Sequence, residues 1–180
     1  MLESTLVKKC QQKEPDAQRQ LFEGYYNYVY TISFRYLKNH HDCEDVVSII
    51  FNKVFQNIHK LTHLENNGLK RWIQTIAINE SLRVLQKKHP ITFTDNDELL
   101  DQEQPELSIE ETVSPARIRQ LVNEMPEGYR RVFLLHVVEG LTHTEIAEYL
   151  NISRNTSKSQ MLKARKHLQH KLKNYESQRI

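Results

Sequence analysis

Cations flanked by amides and hydroxyls are the residues of this chain best suited to chemistry. Arg154, Asn155, Lys158, Ser159, Gln160, Lys163, Arg165 and Lys166 follow one another closely, and from Lys158 to Lys173 there are six basic residues and no acidic one. Arg and amide groups can bond base edges and ammonium groups can neutralise phosphates, so the pattern suits nucleic-acid binding. Catalysis has weaker support. His40-His41-Asp42-Cys43 is the densest cluster of ligating types, but consecutive residues at a helix start point in different directions, and the i, i+4 pairing of an HExxH helix is absent. There is no Gly-rich phosphate loop and no GxSxG elbow. Cys10 and Cys43 are the only cysteines, too few and too far apart for a CxxC site or a disulfide framework. No catalytic residue, metal site or cofactor is expected.

The cations need a helix to carry them. Residues 141–168 read as helix, tight turn, helix: Thr142 with Glu145 forms a capping box, Asn151 occupies the turn, and Ser153 caps the second helix. Ile146, Ala147, Leu150 and Ile152 would pack against Met161, Ala164 and Leu168, leaving the polar and basic residues outward, as major-groove reading requires. By position, Arg154, Asn155, Lys158 and Ser159 are base-edge candidates, while Lys163, Arg165 and Lys166 are phosphate candidates.

The remainder reads as helix throughout. With 4 Gly and 5 Pro in 180 residues, the chain lacks the turn chemistry of many short strands. Apolar residues recur at helical spacing over residues 17–38 (Leu21, Tyr25, Tyr28, Val29, Ile32, Tyr36), 41–60 (Val46, Val47, Ile50, Phe51, Val54, Ile58) and 69–88 (Leu69, Trp72, Ile73, Ile76, Ala77, Leu85). A short helix opens the chain over residues 3–12, and two more cover 116–124 and 127–139, the last ended by Gly140. The fold class is all-α: two small helical domains joined by an acidic linker.

Charge divides the chain in the same way. Residues 1–88 hold 13 basic against 9 acidic residues, residues 89–114 none against 8, and residues 115–180 12 against 6, which gives +4, −8 and +6. Two cationic blocks attract polyanions, whereas the segment between them carries too much charge and too little apolar surface to fold alone. Residues 1–10 carry Glu3, Lys8 and Lys9 where a secretory leader needs an apolar core, and no run approaches about 18 apolar residues. A cytoplasmic protein with no membrane insertion is expected.

Three segments together resemble one family. Residues 141–172, preceded by Met125-Pro126-Glu-Gly-Tyr-Arg-Arg-Val-Phe133, resemble region 4 of the extracytoplasmic-function (ECF) sigma factors of bacterial RNA polymerase. Asp42-Cys-Glu-Asp-Val-Val-Ser-Ile-Ile-Phe-Asn-Lys-Val-Phe55 resembles their region 2.1 to 2.2 helix, and Leu69-Lys-Arg-Trp-Ile-Gln-Thr-Ile-Ala-Ile-Asn79 their region 2.3 to 2.4 helix. The chain departs from the family pattern in places. Asn151 replaces the usual turn Gly, Ser157 a common buried Val, Gln160 a frequent Arg, and Val47-Ser48-Ile49 the commoner Leu-Gln-Glu.

The resemblance implies region 2 over residues 1–88, a flexible linker over 89–114 and region 4 over 115–180. It implies an initiation factor that binds core RNA polymerase, through the β′ clamp helices and the β flap, and directs it to promoter DNA. Asp42, Glu44, Asp45, Ser48, Asn52 and Lys53 stand where the family meets the clamp helices. Asn66, Asn67, Lys70, Arg71, Trp72, Gln74, Thr75, Asn79 and Arg83 stand where it captures and melts the minus-10 element. The helix from Ser153 stands where it reads the minus-35 element. The linker would thread toward the active centre or act as a spacer, and an anti-sigma factor is compatible with family habit. The alternative function is an autonomous dimeric helix-turn-helix regulator, although the N-terminal half shows no sustained heptads for self-association.

Overall fold

The computed structural model describes residues 3–62, 67–91 and 113–177. All regular structure among them is helical, and the chain separates into two compact units, Met1–Pro90 and Ile91–Ile180. Most of the expected linker, residues 92–112, lies outside the described residues.

The first unit contains α1 (Glu3–Gln11), α2 (Pro15–Leu37), α3 (His40–Asn57), which tightens into a 3-10 turn at Ile58–Lys60, and α4 (Gly68–Lys88). Pro15 opens α2, where its missing N–H costs nothing. Asn39 caps α3, its side chain accepting from the Asp42 N–H at 3.1 Å. All six residues of the stripe expected on α3 are buried. On α2, Leu21, Val29, Ile32 and Tyr36 are buried as expected, while Tyr25 and Tyr28 stay at the boundary, with Tyr25 Oη donating to Glu3 Oε1 at 3.3 Å. On α4 the core residues are Leu69, Ile73, Ala77, Ile78, Leu82 and Leu85, and Trp72 and Ile76 are half-buried. Small residues mark where α2 meets α4: Ser81 Oγ donates to Ser33 Oγ at 3.2 Å, and Ser33 Oγ donates to the Val29 carbonyl at 3.0 Å. Gln11 holds α1 to the end of α3, donating to the carbonyls of Ile58 and Leu61 at 3.0 Å each.

The second unit contains α5 (Pro115–Asn123), α6 (Glu127–Phe133), which widens into a π-helical turn at Leu134–Val138, α7 (His143–Leu150) and α8 (Arg154–Ser177). The π turn departs from the uninterrupted helix expected over residues 127–139. The wider turn shifts the faces of its residues from those of a regular helix, and Val137, at an apolar position within the helix expected over 127–139, is 52% exposed. Gly140 then reverses the chain at φ +75°. Arg130 and Arg131 are both buried in this unit, and the Glu127 carboxylate accepts from both, at 2.7 Å from Arg130 Nη2 and 3.1 Å from Arg131 Nε.

The helix-turn-helix matches its sequence signals closely. Thr142 and Glu145 form both halves of the capping box, and Ser153 Oγ accepts from the Thr156 N–H at 2.9 Å. Asn151 adopts φ 53°, ψ 53°, the left-handed conformation that an amide side chain tolerates better than most residues. Urea denaturation of Asn151→Val is expected to show a loss of about 1–2 kcal/mol, the cost of that conformation for an ordinary residue, whereas Asn151→Gly holds or gains stability.

Candidate nucleic-acid interface

The geometry of α4 follows from its split faces. With one side buried, residues spaced by four form a continuous outer row: Asn67, Arg71, Thr75, Asn79 and Arg83 are all exposed. Five of the expected minus-10 candidates therefore share one ridge. Lys70 lies beside the ridge with its ammonium 4.9 Å from the centre of the Tyr28 ring, a cation–π contact that restrains it. Gln74 and Trp72 are half-buried, and Asn66 lies outside the described residues.

On α8 the expected candidates divide. Arg154, Asn155 and Lys166 are exposed, and Lys158, Lys163 and Arg165 are partly covered. Ser159 and Gln160, expected to face outward, are buried. Ser159 Oγ donates to the Thr156 carbonyl at 3.0 Å, so its hydroxyl is satisfied within its own helix.

The outer face of α3 carries Glu44, Asp45, Ser48 and Asn52, all exposed. Ser48 Oγ donates to the Glu44 carbonyl at 3.1 Å. Asp45 lies 3.3 Å from His41, and its negative charge helps raise the His41 pKa behind the larger effect of a backbone hydrogen bond. Two members of this group turn toward α4 instead. Asp42 pairs with Lys88, and Lys53 Nζ donates to Glu80 Oε1 at 2.6 Å.

Sequence reasoning missed three features. Ile49, 36% exposed, stands among the polar residues of the α3 face. Alongside runs an aromatic row on α2, Phe22, Tyr26, Tyr30 and Phe34, with successive ring centres 5.4, 6.1 and 6.2 Å apart. Its i, i+4 spacing was visible in the sequence, but the stripe chosen there was the neighbouring one. The third feature is Glu80, whose burial no local pattern announces.

Ser157 is fully buried in α8, and its hydroxyl shares a 2.9 Å hydrogen bond with Nδ1 of His143 at the start of α7. The His143 ring stacks on His136 at 4.6 Å, and His136 Nδ1 donates to the Leu141 carbonyl at 2.7 Å. A polar residue in this core position is tolerable because a partner arrives with it. Burial, and then the cationic neighbours His136, Lys158, Arg154 and Arg165, push the His143 pKa down to about 4.

Comparison with known proteins identifies two matching segments. The family model for Sigma-70 region 2 matches residues 21–90, and that for Sigma-70 region 4 matches residues 116–168. The chain is 25% identical to the ECF RNA polymerase sigma factor SigW of Bacillus subtilis over 93% of its own length and 95% of the relative's. It is 26% identical to SigM of the same organism, over 83% and 91%. Among solved structures, CnrH in complex with the cytosolic domain of CnrY superposes with a TM-score of 0.53 at 18% identity, covering 94% of this chain and 96% of that one. The sigma factor RpoE of Bartonella quintana, in complex with the anti-sigma factor NepR, gives 0.52 at 19%, covering 86% and 96%.

The two modules in this order define a sigma-70-type factor, a subunit that lends RNA polymerase its promoter specificity. The chain belongs to the ECF sigma factors. It binds core RNA polymerase and directs it to specific promoters through sequence-specific DNA binding and promoter melting. The regulator alternative is not favoured, because the N-terminal unit matches a sigma region. No helix among the described residues is long and apolar enough to cross a membrane.

The His143 shift has a consequence for stability. In the unfolded chain His143 takes up its proton near 6.5, and in the folded chain only near 4. Between those values the unfolded state binds more protons, so stability rises with pH across the window. This contribution is present above pH about 6.5 and is lost as pH falls toward about 4. His143→Asn should flatten the dependence of the unfolding midpoint on pH over this interval, a difference that thermal melts of the two proteins would reveal.

Proposed function

We propose that the exposed row of α4, Asn67, Arg71, Thr75, Asn79 and Arg83, contacts the minus-10 element together with Lys70, Trp72, Gln74 and Asn66. In the same reading the first turns of α8 read the minus-35 element. The observation that carries this reading is the alignment of amide, hydroxyl and guanidinium groups along one exposed ridge of α4. Amides and guanidiniums can bond the edges of unpaired bases, and the cations can follow the backbone. Arg154 and Asn155 are the most open residues at the start of α8 and are assigned to base edges with the half-covered Lys158, while the buried Ser159 leaves that set. Lys163, Arg165 and Lys166 are assigned to phosphates.

The face of Glu44, Asp45, Ser48 and Asn52, with Asp42 and Lys53 at its edges, is assigned to the β′ clamp helices, and the second unit to the β flap. Residues 1–88 act as region 2, 115–180 as region 4, and 89–114 as the anionic connection. The protein works in the cytoplasm and leaves phosphodiester chemistry to the polymerase. An anti-sigma factor is a further proposed partner, in keeping with the anti-sigma factor NepR named in the RpoE complex of Bartonella quintana.

Run-off transcription with purified core polymerase on a promoter library tests this division of labour. Arg154→Ala should change the preferred upstream sequence, while Lys166→Ala should weaken binding evenly across sequences and flatten the salt dependence by about 0.9 in log–log slope, the contribution of one phosphate contact. An Arg154→Ala protein with unaltered upstream preference would refute the assignment.

A further inference from the structure

Glu80 is 5% exposed, on the inner side of α4. A carboxylate buried to that extent keeps its charge only when cations or donors replace the water it has lost. Two cations do so, each from a surface with a different proposed task. Oε1 accepts from Lys53 Nζ of α3 at 2.6 Å. Oε2 makes an ion pair at 3.2 Å with Arg83 Nη2, one turn further along α4, without hydrogen-bond alignment.

The two pairs differ in what they leave free. The Lys53 ammonium is a compact charge directed at one oxygen. Arg83 remains 67% exposed and presents one nitrogen to Glu80, which leaves the rest of its five-donor fork for a phosphate or a base edge. A guanidinium on a mobile side chain loses rotamer freedom when it binds, and one already drawn to a fixed anion loses less. Lys53 in turn holds that anion, because it ties Glu80 to the helix whose outer face carries Glu44, Asp45, Ser48 and Asn52.

We propose that Glu80 is a positioning residue that presets Arg83 for promoter DNA, with Lys53 of α3 anchoring it. The proposal rests on the reading of α4 as the DNA-contacting ridge. It adds that the setting of the ridge depends on a carboxylate that never touches DNA, anchored on the helix proposed to meet the polymerase.

The test is a double-mutant cycle on the full chain assembled with core polymerase, with open-complex formation followed by permanganate reactivity and core association measured separately. Arg83→Gln and Glu80→Gln should each lower open-complex formation about 10-fold, the size of one charge-assisted hydrogen bond, with core affinity and unfolding midpoint nearly unchanged. Combined, they should be no worse than Arg83→Gln alone, since Glu80 acts through Arg83.

If Arg83→Gln has no effect, the DNA-ridge reading fails for this residue and the proposal fails with it. If Arg83→Gln is defective but Glu80→Gln is not, or the two defects multiply, the ridge reading stands and the positioning role is overturned. Should Glu80→Gln unfold because Lys53 is left without its anion, Glu80→Asp keeps the charge but draws it back by one methylene, and the same cycle against Arg83→Gln decides the matter: a defect that persists when Arg83 is already Gln overturns the positioning role.

Discussion

A helix that keeps a continuous polar row exposed must be held entirely from its other side. In α4 that condition sets the whole layout of the first unit. Leu69, Ile73, Ala77, Leu82 and Leu85 bury one face so that Asn67, Arg71, Thr75, Asn79 and Arg83 can stay bare on the other. The support has to be close, since the apolar packing that fixes the ridge lies wholly on the opposite face of the helix. Small residues supply that closeness where α2 crosses α4, with Ser33, Ser81 and Ala77 all fully buried. Larger side chains there would push the helices apart, and interiors packed to crystal density absorb such changes poorly.

Polar groups inside these small cores come in matched sets. Ser81 meets Ser33, Glu80 meets Lys53 and Arg83, Glu127 meets Arg130 and Arg131, and Ser157 meets His143. Each pairing joins residues that would be costly to bury alone. The Glu127 cluster illustrates the balance: burial alone would raise its carboxyl pKa, yet hydrogen bonds and charge from Arg130 and Arg131 bring it below the usual carboxylate range. Paired this way, buried polar groups select one arrangement of helices over others of similar apolar burial.

What the sequence disclosed depended on how local the signal was. The capping box at Thr142 and Glu145, the left-handed Asn151 and the Ser153 cap are each settled within a few residues, and each was legible. The six-residue stripe of α3 was legible because one side of that helix is wholly buried. Periodicity misled at Val137, since it assumes a constant turn and the π turn after Phe133 breaks that assumption. It also passed over Phe22, Tyr26, Tyr30 and Phe34, because an aromatic row at i, i+4 has the same pattern whether it faces core or solvent. The position of Glu80 depends on Lys53, 27 residues away, and no spacing rule reaches that far.

The departure at Ser157 shows how a substitution that looks unfavourable in sequence becomes workable in three dimensions. A hydroxyl in place of an aliphatic side chain requires a partner, and the partner supplied is an imidazole, a group able to carry charge. A charged imidazole at that point would crowd Arg154, Lys158 and Arg165, whose positive fields already act on it. Burial resolves the conflict by holding His143 neutral down to about pH 4, so the ring gives α8 a hydrogen bond without adding to its charge. The same desolvation that makes Ser157 need a partner keeps that partner uncharged.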